Sequence, residues 1–306
     1  MDANCEPNMK FRLWVDDPAK FSSTRISGIR HDFHKHPLLQ LDALAVAAKE
    51  LAPTKQCRYI QPGSKQDSAF HHTPADPDGR GVDEVFRRIE EPGSWIALYN
   101  VETLPRYAEM LKQITDCARQ LIDREQPGMF KIGGFIFISA PPSVTPFHID
   151  RENNLWLQIH GEKVINVWDH RDRIVVAGKD VDQFVTHGGL ENVKLKEGFL
   201  QRSHEFTTHP GDGVYFPSTS PHATRSERDW VRPGDGVSVS IGVVFYTDAT
   251  RKAAYVHAWN LFLRKFGLDP TLPSISPMLD SIKLPFGRLA VWCKKTFGDY
   301  KPRVGF

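Results

Sequence analysis

The feature that most constrains the fold is a series of short strand-like segments between about residues 130 and 246. Each segment is rich in β-branched and aromatic residues, and Gly, Pro and Asp punctuate the gaps between segments. The segments are FKIGGFIFIS, NNLWLQIHG, KVINVWD, GVYFP and GVSVSIGVVFY. Many short strands separated by turn residues indicate a sandwich or a jelly roll, because only a sheet folded onto another sheet buries so many apolar strands.

Helical patterns flank these strands on both sides. Before them, residues 37–51 and 104–124 carry apolar residues at every third or fourth position. The same spacing returns after the strands, in residues 250–267 and 284–297. We therefore predict a mainly β protein with flanking N- and C-terminal α-helices. The predicted divisions are a mixed helical region that packs on the barrel (1–129), the β core (130–247) and a C-terminal helical region (248–306).

Composition limits the class of protein. The 39 basic and 37 acidic residues give a formal net charge of +2, which does not by itself indicate nucleic-acid binding. No apolar run in the sequence approaches the length of a membrane span. The N-terminal stretch MDANCEPNMKFRLWVDD lacks the charged-then-apolar pattern of a signal peptide, so we expect a cytoplasmic location. Four widely spaced cysteines form no CxxC pair, which argues against a cysteine zinc site.

Two histidines and an aspartate carry most of the chemical information. His148 and Asp150 in TPFHID are two residues apart, so their side chains point to one face of an extended segment. A third ligand must come from a distant strand, and His222 follows the turn and short apolar strand of PGDGVYFP. Two imidazoles and one carboxylate leave coordination positions open, which suits Fe(II) that must bind a co-substrate and dioxygen.

Other residues compete for this role. In a chain with 13 histidines an H-x-D pair arises easily by chance, as a surface or capping pair. His209 is the nearest rival of His222, but it precedes the PGDG turn instead of following the strand. We predict His148, Asp150 and His222 as the metal ligands and the catalytic centre. The other competing histidines are His160, His170, His187 and His204.

The two segments together resemble the core of a known family. TPFHIDRENNLWLQIHGEKVINVWD and GDGVYFPSTSPHATRS are similar to the iron- and 2-oxoglutarate-binding core of Jumonji-C (JmjC) oxygenases. The resemblance is strongest to the branch of the asparaginyl hydroxylase that acts on hypoxia-inducible factor, and it covers roughly residues 130–247. The residues that carry it are Thr145, His148, Asp150, Asn154, Gln158, Gly161, Lys163, Gly211, Asp212, Tyr215, Pro217 and His222.

The resemblance implies a fold, cofactors and a reaction. The fold is a double-stranded β-helix, also called a jelly roll or cupin barrel, and the cofactors are Fe(II), 2-oxoglutarate as co-substrate and dioxygen. The reaction couples oxidative decarboxylation of 2-oxoglutarate to hydroxylation or demethylation of a substrate. We predict hydroxylation, because the branch in question hydroxylates its substrate. The alternatives are a non-catalytic or regulatory protein on the same barrel, and a metal-dependent cupin enzyme that does not use 2-oxoglutarate.

The same resemblance implicates three more residues. Lys163 would bind the distal carboxylate of 2-oxoglutarate, Thr145 would assist through its hydroxyl, and Asn154 would line or orient the pocket. A cation suits the first role, since a dicarboxylate inside a barrel must not be left unpaired. The simpler explanations are an exposed turn lysine, an ordinary extended threonine and a turn-prone asparagine. The family's asparagine on the last core strand is absent here, where Gly242 or a neighbour stands, so part of the pocket is left open.

The C-terminal region is strongly basic. Residues 251–306 hold ten basic residues against three acidic ones, with Trp and Phe interspersed. We expect amphipathic helices that cap the barrel or form a homodimer interface. The alternatives are a peripheral contact with an anionic membrane and a nucleic-acid surface. The substrate cannot be identified from the sequence. The candidates are a protein side chain, an RNA component, and a lipid-linked sugar or other small metabolite.

Overall fold

Twelve strands and six α-helices lie in the residues that this computed structural model describes, which are 10–60, 63–227 and 236–298. The strands are β1 (Leu13–Trp14), β2 (Ser27–His31), β3 (Cys57–Arg58), β4 (Trp95–Leu98), β5 (Phe130–Ser139), β6 (Ser143–His148), β7 (Asn153–His160), β8 (Lys163–Val167), β9 (His204–Thr208), β10 (Asp212–Phe216), β11 (His222–Ser226) and β12 (Ser238–Tyr246). The helices are α1 (Leu41–Leu51), α2 (Val82–Arg87), α3 (Pro105–Ile122), α4 (Gly178–His187), α5 (Asp248–Arg264) and α6 (Pro277–Phe297).

The strands form two antiparallel sheets. The major sheet has the order β1-β2-β10-β7-β12-β5-β4-β3, and the minor sheet has the order β6-β11-β8-β9. Side chains of both sheets, among them Trp156 on β7 and Ile165 on β8, share one buried cluster between the sheets. Two sheets that bury a common interior form the predicted jelly roll, and the flanking helices are also present, so the predicted fold class is confirmed.

The outer face of the major sheet carries the main hydrophobic core. Along β12, Val239, Ile241 and Val243 point into this core, because alternate residues of a strand face opposite sides. Helices α1 and α3 cover the face with apolar residues such as Leu44 and Leu111, both fully buried. The other residues of β12 therefore point into the barrel.

The N-terminal region supplies strands as well as helices. Strands β1 and β2 extend the major sheet at one edge, and β4 and β3 extend it at the other. Strands β1, β2 and β3 were not predicted from the sequence; β1 and β3 have only two residues each and leave no readable alternation, whereas β2 has five. The division into three regions stays a prediction.

The outer face of the minor sheet is covered by α4, which the sequence pattern did not reveal. Phe147 on β6 and Ala223 on β11 pack with Val181 and other apolar residues of α4. Phe147 also meets Trp168 edge to face, with ring centroids 5.0 Å apart. Trp156 and Trp168 are both buried.

The C-terminal helices pack closely on one another. Helix α6 begins at Pro277, earlier than the predicted residue 284, because Ser276 caps it and proline is well tolerated in the first turn. A side chain at Gly287 would place its Cβ 2.0 Å from the carbonyl oxygen of Tyr255 on α5. Only glycine permits this approach of the two helices. None of the helices in the described part of the chain has the length and apolar character needed to cross a membrane.

Candidate metal centre

The structure brings the three predicted metal ligands together at one end of the barrel. His148 is the last residue of β6, His222 is the first of β11, and the two are directly paired between the strands. Asp150 follows two residues after β6 ends. Its carboxylate oxygens lie 3.5 Å from Nε2 of His222 and 4.0 Å from Nε2 of His148. The three side chains offer ligand atoms that all lie within 4.8 Å of one another.

Both imidazoles are oriented by the backbone. Nδ1 of His148 lies 2.8 Å from the carbonyl oxygen of Pro146, and Nδ1 of His222 lies 3.1 Å from that of Ser220. A carbonyl accepts only, so each Nδ1 carries the proton and each Nε2 presents a lone pair to the centre. Burial, with a further contribution from the neighbouring His148, lowers the pKa of His222 to about 4. His222 is therefore neutral at neutral pH, as a metal ligand must be.

A β-bulge lets strand β6 supply two inward side chains at an odd spacing. His148 pairs with His222 and Thr145 with Thr224, so three residues of β6 span the same length as two of β11. Directly paired residues of antiparallel strands point to the same face. The extra residue thus turns both Thr145 and His148 toward the barrel interior, which a regular strand would not allow.

The loop that carries Asp150 is held from two sides. The N–H of Thr219 donates to the carbonyl oxygen of Asp150 at 2.8 Å. The next residue, Arg151, donates to the carbonyl oxygens of Phe184 and Val185 at the end of α4. These bonds fix the backbone around a carboxylate whose side chain is still 30% exposed, and so accessible for a ligand.

Lys163 lies inside the barrel and is not an exposed turn lysine. On β8, Val167 pairs with His222, and Lys163 lies four residues earlier on the same face. Its side chain is 1% exposed, and its Nζ donates to Oγ of Ser139 at 3.0 Å. No carboxylate in the described residues contributes to its pKa, which burial lowers to about 8. The barrel therefore holds a buried amine whose charge nothing nearby compensates.

Serine side chains surround the lysine end of the barrel. Ser143 lies 3.0 Å from Ser139 and 2.6 Å from Ser226, measured between the hydroxyl oxygens. Ser238 accepts a hydrogen bond from Gln158 at 3.0 Å. Sequence reasoning missed this group. A signal was present in SVSIGVVF, where polar and apolar residues alternate.

The middle of the barrel interior contains unsatisfied polar groups. Oδ1 of Asn154 and the hydroxyl of Thr224, which pairs with Thr145, are buried without hydrogen-bond partners. Such groups are costly unless a ligand or water satisfies them. Gly242 faces Asn154, and a Cβ at residue 242 would lie 3.4 Å from Oδ1 of Asn154. Because Gly242 stands where the family has an asparagine, space remains beside this strand, and the Asn154 amide fills part of it.

An aromatic side chain that the sequence did not point to touches the metal centre. The ring of Phe70 stacks on the imidazole of His148, with centroids 4.2 Å apart and planes 14° from parallel. The same loop reaches β6 at Gln66, whose carbonyl oxygen accepts from the N–H of Phe147 at 2.9 Å. The sequence of this loop is polar and rich in Gly and Pro, and nothing in it marks Phe70.

The competing residues lie elsewhere. His209 is exposed on a turn, where its Nδ1 lies 3.7 Å from a carboxylate oxygen of Glu162. Arg225, three residues after His222, points away from the barrel interior and donates to Oδ1 of Asn166 at 2.8 Å. It also lies 3.2 Å from Glu205. Neither side chain joins the cluster of three ligands.

The residues present fit both Fe(II) and 2-oxoglutarate. Two neutral imidazoles and one carboxylate are the ligand set of non-haem iron oxygenases, which keep open positions for other ligands. The uncompensated Lys163 and the unused donor of Thr224 are what a carboxylate inside the barrel would need. Both lie on the inner face that carries His222.

Comparison with known proteins agrees with this site. Residues 116–250 match the protein-family model described as the JmjC domain. This stretch contains β5 to β12 and all six predicted site residues. Among curated proteins, no sequence matches the chain. The domain match and the cluster of ligands confirm the predicted class of enzyme, an oxygenase dependent on Fe(II) and 2-oxoglutarate.

Several solved structures resemble the chain distantly. E. coli YcfD has 16% identity and a TM-score of 0.47, covering 92% of this chain and 68% of that one. YcfD, described as a ribosomal oxygenase from Escherichia coli, in complex with cobalt and 2-oxoglutarate has 17% identity and a TM-score of 0.45, covering 94% and 69%. SnoK, an alpha-ketoglutarate-dependent carbocyclase from nogalamycin biosynthesis, has 12% identity and a TM-score of 0.44, covering 77% and 87%.

Proposed function

We propose that this oxygenase is a hydroxylase whose metal is held by His148, Asp150 and His222 and whose co-substrate is anchored by Lys163. One observation carries the proposal. The barrel places a preoriented His-Asp-His cluster and a buried, uncompensated lysine on the same inner face. A purely structural metal site would have no use for such a lysine, since burying an unpaired cation destabilises the fold.

When bound, Fe(II), 2-oxoglutarate and dioxygen would supply the oxidising chemistry: one oxygen atom of dioxygen enters succinate as 2-oxoglutarate loses carbon dioxide, and the other enters a substrate C–H bond. The chain contributes position and environment. His148 and His222 present fixed lone pairs, and Asp150 supplies the negative charge. Lys163 would pair with the distal carboxylate, assisted by the hydroxyl of Thr145 and the amide of Asn154. The walls of the barrel exclude water from this interior.

The preference for hydroxylation over demethylation comes from the resemblance of the His148 and His222 segments to the asparaginyl hydroxylase branch. The substrate would approach from the exposed side of Asp150, next to the aromatic ring of Phe70. A protein side chain is the substrate class that this branch suggests. A screen that measures turnover with each class of compound would distinguish a protein side chain from the RNA and small-metabolite candidates.

The proposal is tested by anaerobic titration of the metal-free protein with Fe(II) and then 2-oxoglutarate. We expect the weak visible charge-transfer band of the iron chelate in the wild type, and succinate release when air is admitted. His222→Ala should abolish the band, because the two remaining protein ligands would not hold the iron in place for chelation by 2-oxoglutarate. His209→Ala is the matched control and should keep the band, since His209 lies on an exposed turn.

Two outcomes would favour the alternatives. Iron binding without a band would mean that 2-oxoglutarate does not chelate the metal, as expected for a cupin enzyme that uses no oxoglutarate. A band without conversion of 2-oxoglutarate to succinate, in the presence of each candidate substrate, would favour a regulatory protein. Equal loss of the band in His222→Ala and His209→Ala would contradict the assignment of the ligands.

A further inference from the structure

A second cavity lies between the C-terminal helices and the metal end of the barrel. Its volume is about 560 Å³, within the range of roughly 300–1,000 Å³ that is usual for small-molecule sites. Its walls come mainly from the first turns of α5 and α6, the segment between these helices, and the loops that follow β8 and β10. Of the described residues that line it, none is one of the six predicted site residues. The proposed chemistry therefore leaves this cavity without a role.

One wall of the cavity is the segment that also holds the Asp150 loop. Ser218 and Thr219 both line the cavity. The hydroxyl of Ser218 donates to the carbonyl oxygen of Arg151 at 2.7 Å, and its N–H donates to Oδ1 of Asn153 at 2.9 Å. The N–H of Thr219 donates to the carbonyl oxygen of Asp150 at 2.8 Å. These bonds fix the wall, so a ligand would enter a preformed space.

The guanidinium of Arg173 gives the cavity an unpaired positive charge. It donates to the carbonyl oxygens of His170 and Val176, and its Nε is buried without a hydrogen-bond partner. Carbonyl oxygens accept hydrogen bonds without neutralising a charge, and no carboxylate of the described residues forms an ion pair with Arg173. Burial lowers its pKa to about 10, so the group is still a cation at neutral pH. Arg173 thus offers both a charge and a free N–H to an anion.

A nearby carboxylate is already paired, and it fixes a histidine of the same lining. Nδ1 of His257 lies 2.6 Å from Oδ1 of Asp182, and Nε of Arg264 donates to the other carboxylate oxygen at 2.7 Å. Asp182 is fully buried and can only accept, so Nδ1 carries the ring proton of His257. The imidazole is held in one orientation, and the charge of Asp182 is balanced by Arg264.

The two acidic side chains that line the cavity are also bound to other groups. Glu125 accepts from the hydroxyls of Ser22 and Ser23. Oδ2 of Asp280 accepts from the N–H of Ser274 at 2.7 Å, whereas its Oδ1 is buried without a partner and requires a donor from water or a ligand. Neither carboxylate forms an ion pair with Arg173.

Much of the remaining lining is apolar. Val256 and Leu272 are buried, and several smaller or more exposed apolar residues complete the surface. Each methylene group that a ligand buries against such a surface should raise its affinity about fourfold. The apolar lining residues are Ala249, Ala253, Val256, Leu272, Pro273, Pro277 and Leu284.

We propose that this cavity is a binding site for a small organic anion, a carboxylate with an apolar body, whose charged group contacts Arg173. The unpaired cation, its free N–H and the apolar walls together select this class of ligand. The inference does not depend on the proposed function, because neither the metal ligands nor Lys163 take part in it.

Calorimetric titration of the metal-free full chain with octanoate at neutral pH tests the proposal. We expect a dissociation constant on the order of 0.1–1 mM for this small probe. Hexanoate should bind roughly tenfold more weakly, because it buries two methylene groups fewer. Octan-1-ol should also bind at least about tenfold more weakly, since it has the apolar body without the charge.

Two variants remove the two halves of the site separately. Arg173→Met should weaken octanoate binding about tenfold or more, and Arg171→Met, at an exposed arginine that pairs with Asp169, is its matched control. Ala253→Trp leaves every charge in place and should weaken binding to a similar extent, because the indole takes up part of the cavity. Ala45→Trp, at a half-buried alanine of α1, is its control. Circular dichroism spectra show that each variant is folded.

A third variant separates this site from the co-substrate pocket. Lys163→Met should bind octanoate as tightly as the wild type. Loss of binding in Lys163→Met, with normal binding in Arg173→Met, would place the carboxylate inside the barrel and overturn the proposal. No binding by the wild type would overturn it as well, and so would equal affinities for octanoate and octan-1-ol. Failure of iron or 2-oxoglutarate to bind would leave all these results unchanged, so the two proposals fail separately.

Discussion

The two faces of the major sheet share the same strands and differ in every other respect. On the outer face, Val239 and Ile241 of β12 pack with α1 and α3 in a core of apolar residues. On the inner face, Gly242 of the same strand lies beside Asn154 on the neighbouring strand β7, and Oδ1 of Asn154 has no hydrogen-bond partner among the described residues. On the outer face, the protein's own apolar side chains complete the packing. On the inner face, a buried polar atom would need a ligand or water to satisfy it. One strand can therefore supply stability on one side and binding on the other, at alternate positions.

The comparison predicts that substitutions on the two faces have separable effects. On the outer face, Leu111→Ala should lower the free energy of unfolding by about 2–5 kcal/mol, because Leu111 is fully buried against β5 and its loss leaves a cavity. The affinity for 2-oxoglutarate should not change. Urea denaturation of the metal-free protein measures the first quantity, and calorimetric titration of the metal-loaded protein the second.

Leu200→Ala, at a half-exposed residue, is the control and should change stability by less than about 0.5 kcal/mol. A normal stability for Leu111→Ala, together with weak 2-oxoglutarate binding, would mean that the two faces are not independent.

On the inner face, Lys163→Met should weaken 2-oxoglutarate binding about 30-fold or more, since it removes the cation that pairs with a buried carboxylate. The stability of the ligand-free protein should stay the same or rise, because methionine fills a similar volume without an uncompensated charge. Titration calorimetry measures the change in the affinity for 2-oxoglutarate, and urea denaturation measures the change in the free energy of unfolding.

Lys194→Met, at an exposed lysine, should leave both quantities unchanged. A large loss of stability in Lys163→Met would show that the fold itself needs the amine. The inner face would then contribute to stability as the outer face does.

Lys163 on the inner face should also make the stability and the affinity for 2-oxoglutarate depend on pH. The pKa of Lys163 is about 8 in the folded protein against its ordinary value of 10.5, so the unfolded chain binds more protons between these two values. Stability should therefore rise as pH increases through this window. The affinity for 2-oxoglutarate should move the opposite way, falling roughly tenfold between about pH 7 and pH 9 as the amine loses its proton. Lys163→Met should lack both changes, and a parallel pH response in that variant would assign them to another group.

The smallest effect is expected at Gly242. Gly242→Ala should raise stability by about 0.5–1 kcal/mol, because alanine loses less conformational freedom in a strand. The Cβ would lie 3.4 Å from the Asn154 side chain, so the 2-oxoglutarate pocket should barely change. Titration calorimetry is expected to show a dissociation constant within about threefold of the wild type. A larger shift would show that the space beside Asn154 is part of the pocket.

The fold could be predicted from the sequence, and candidate metal ligands could be named, because both leave local patterns. Along each strand, polar and apolar residues alternate or all residues are apolar. The spacing of the family motif is found at His148, Asp150 and His222. Lys163 could be read only from that motif, since a lysine after a turn glycine usually faces water. Its burial depends on Gly161, whose positive φ of 62° turns the chain so that β8 enters the barrel at Lys163.

The contacts that the sequence did not reveal all join distant parts of the chain. Phe70 meets His148 across a loop, and Arg151 meets the end of α4 through backbone carbonyls. Carbonyl partners have no residue signature, and a single phenylalanine in a polar loop has no periodicity.

The bulge in β6 makes the chemistry of the site sensitive to chain length. Between Thr145 and His148 the strand contains one residue more than the facing segment of β11. Removal of that residue would leave the side chains of Thr145 and His148 intact, yet it would invert the side of the strand on which one of them lies. The change in strand register alone would turn either a proposed metal ligand or a proposed wall of the co-substrate pocket away from the barrel interior. In this short segment a single-codon deletion should be more damaging than most substitutions.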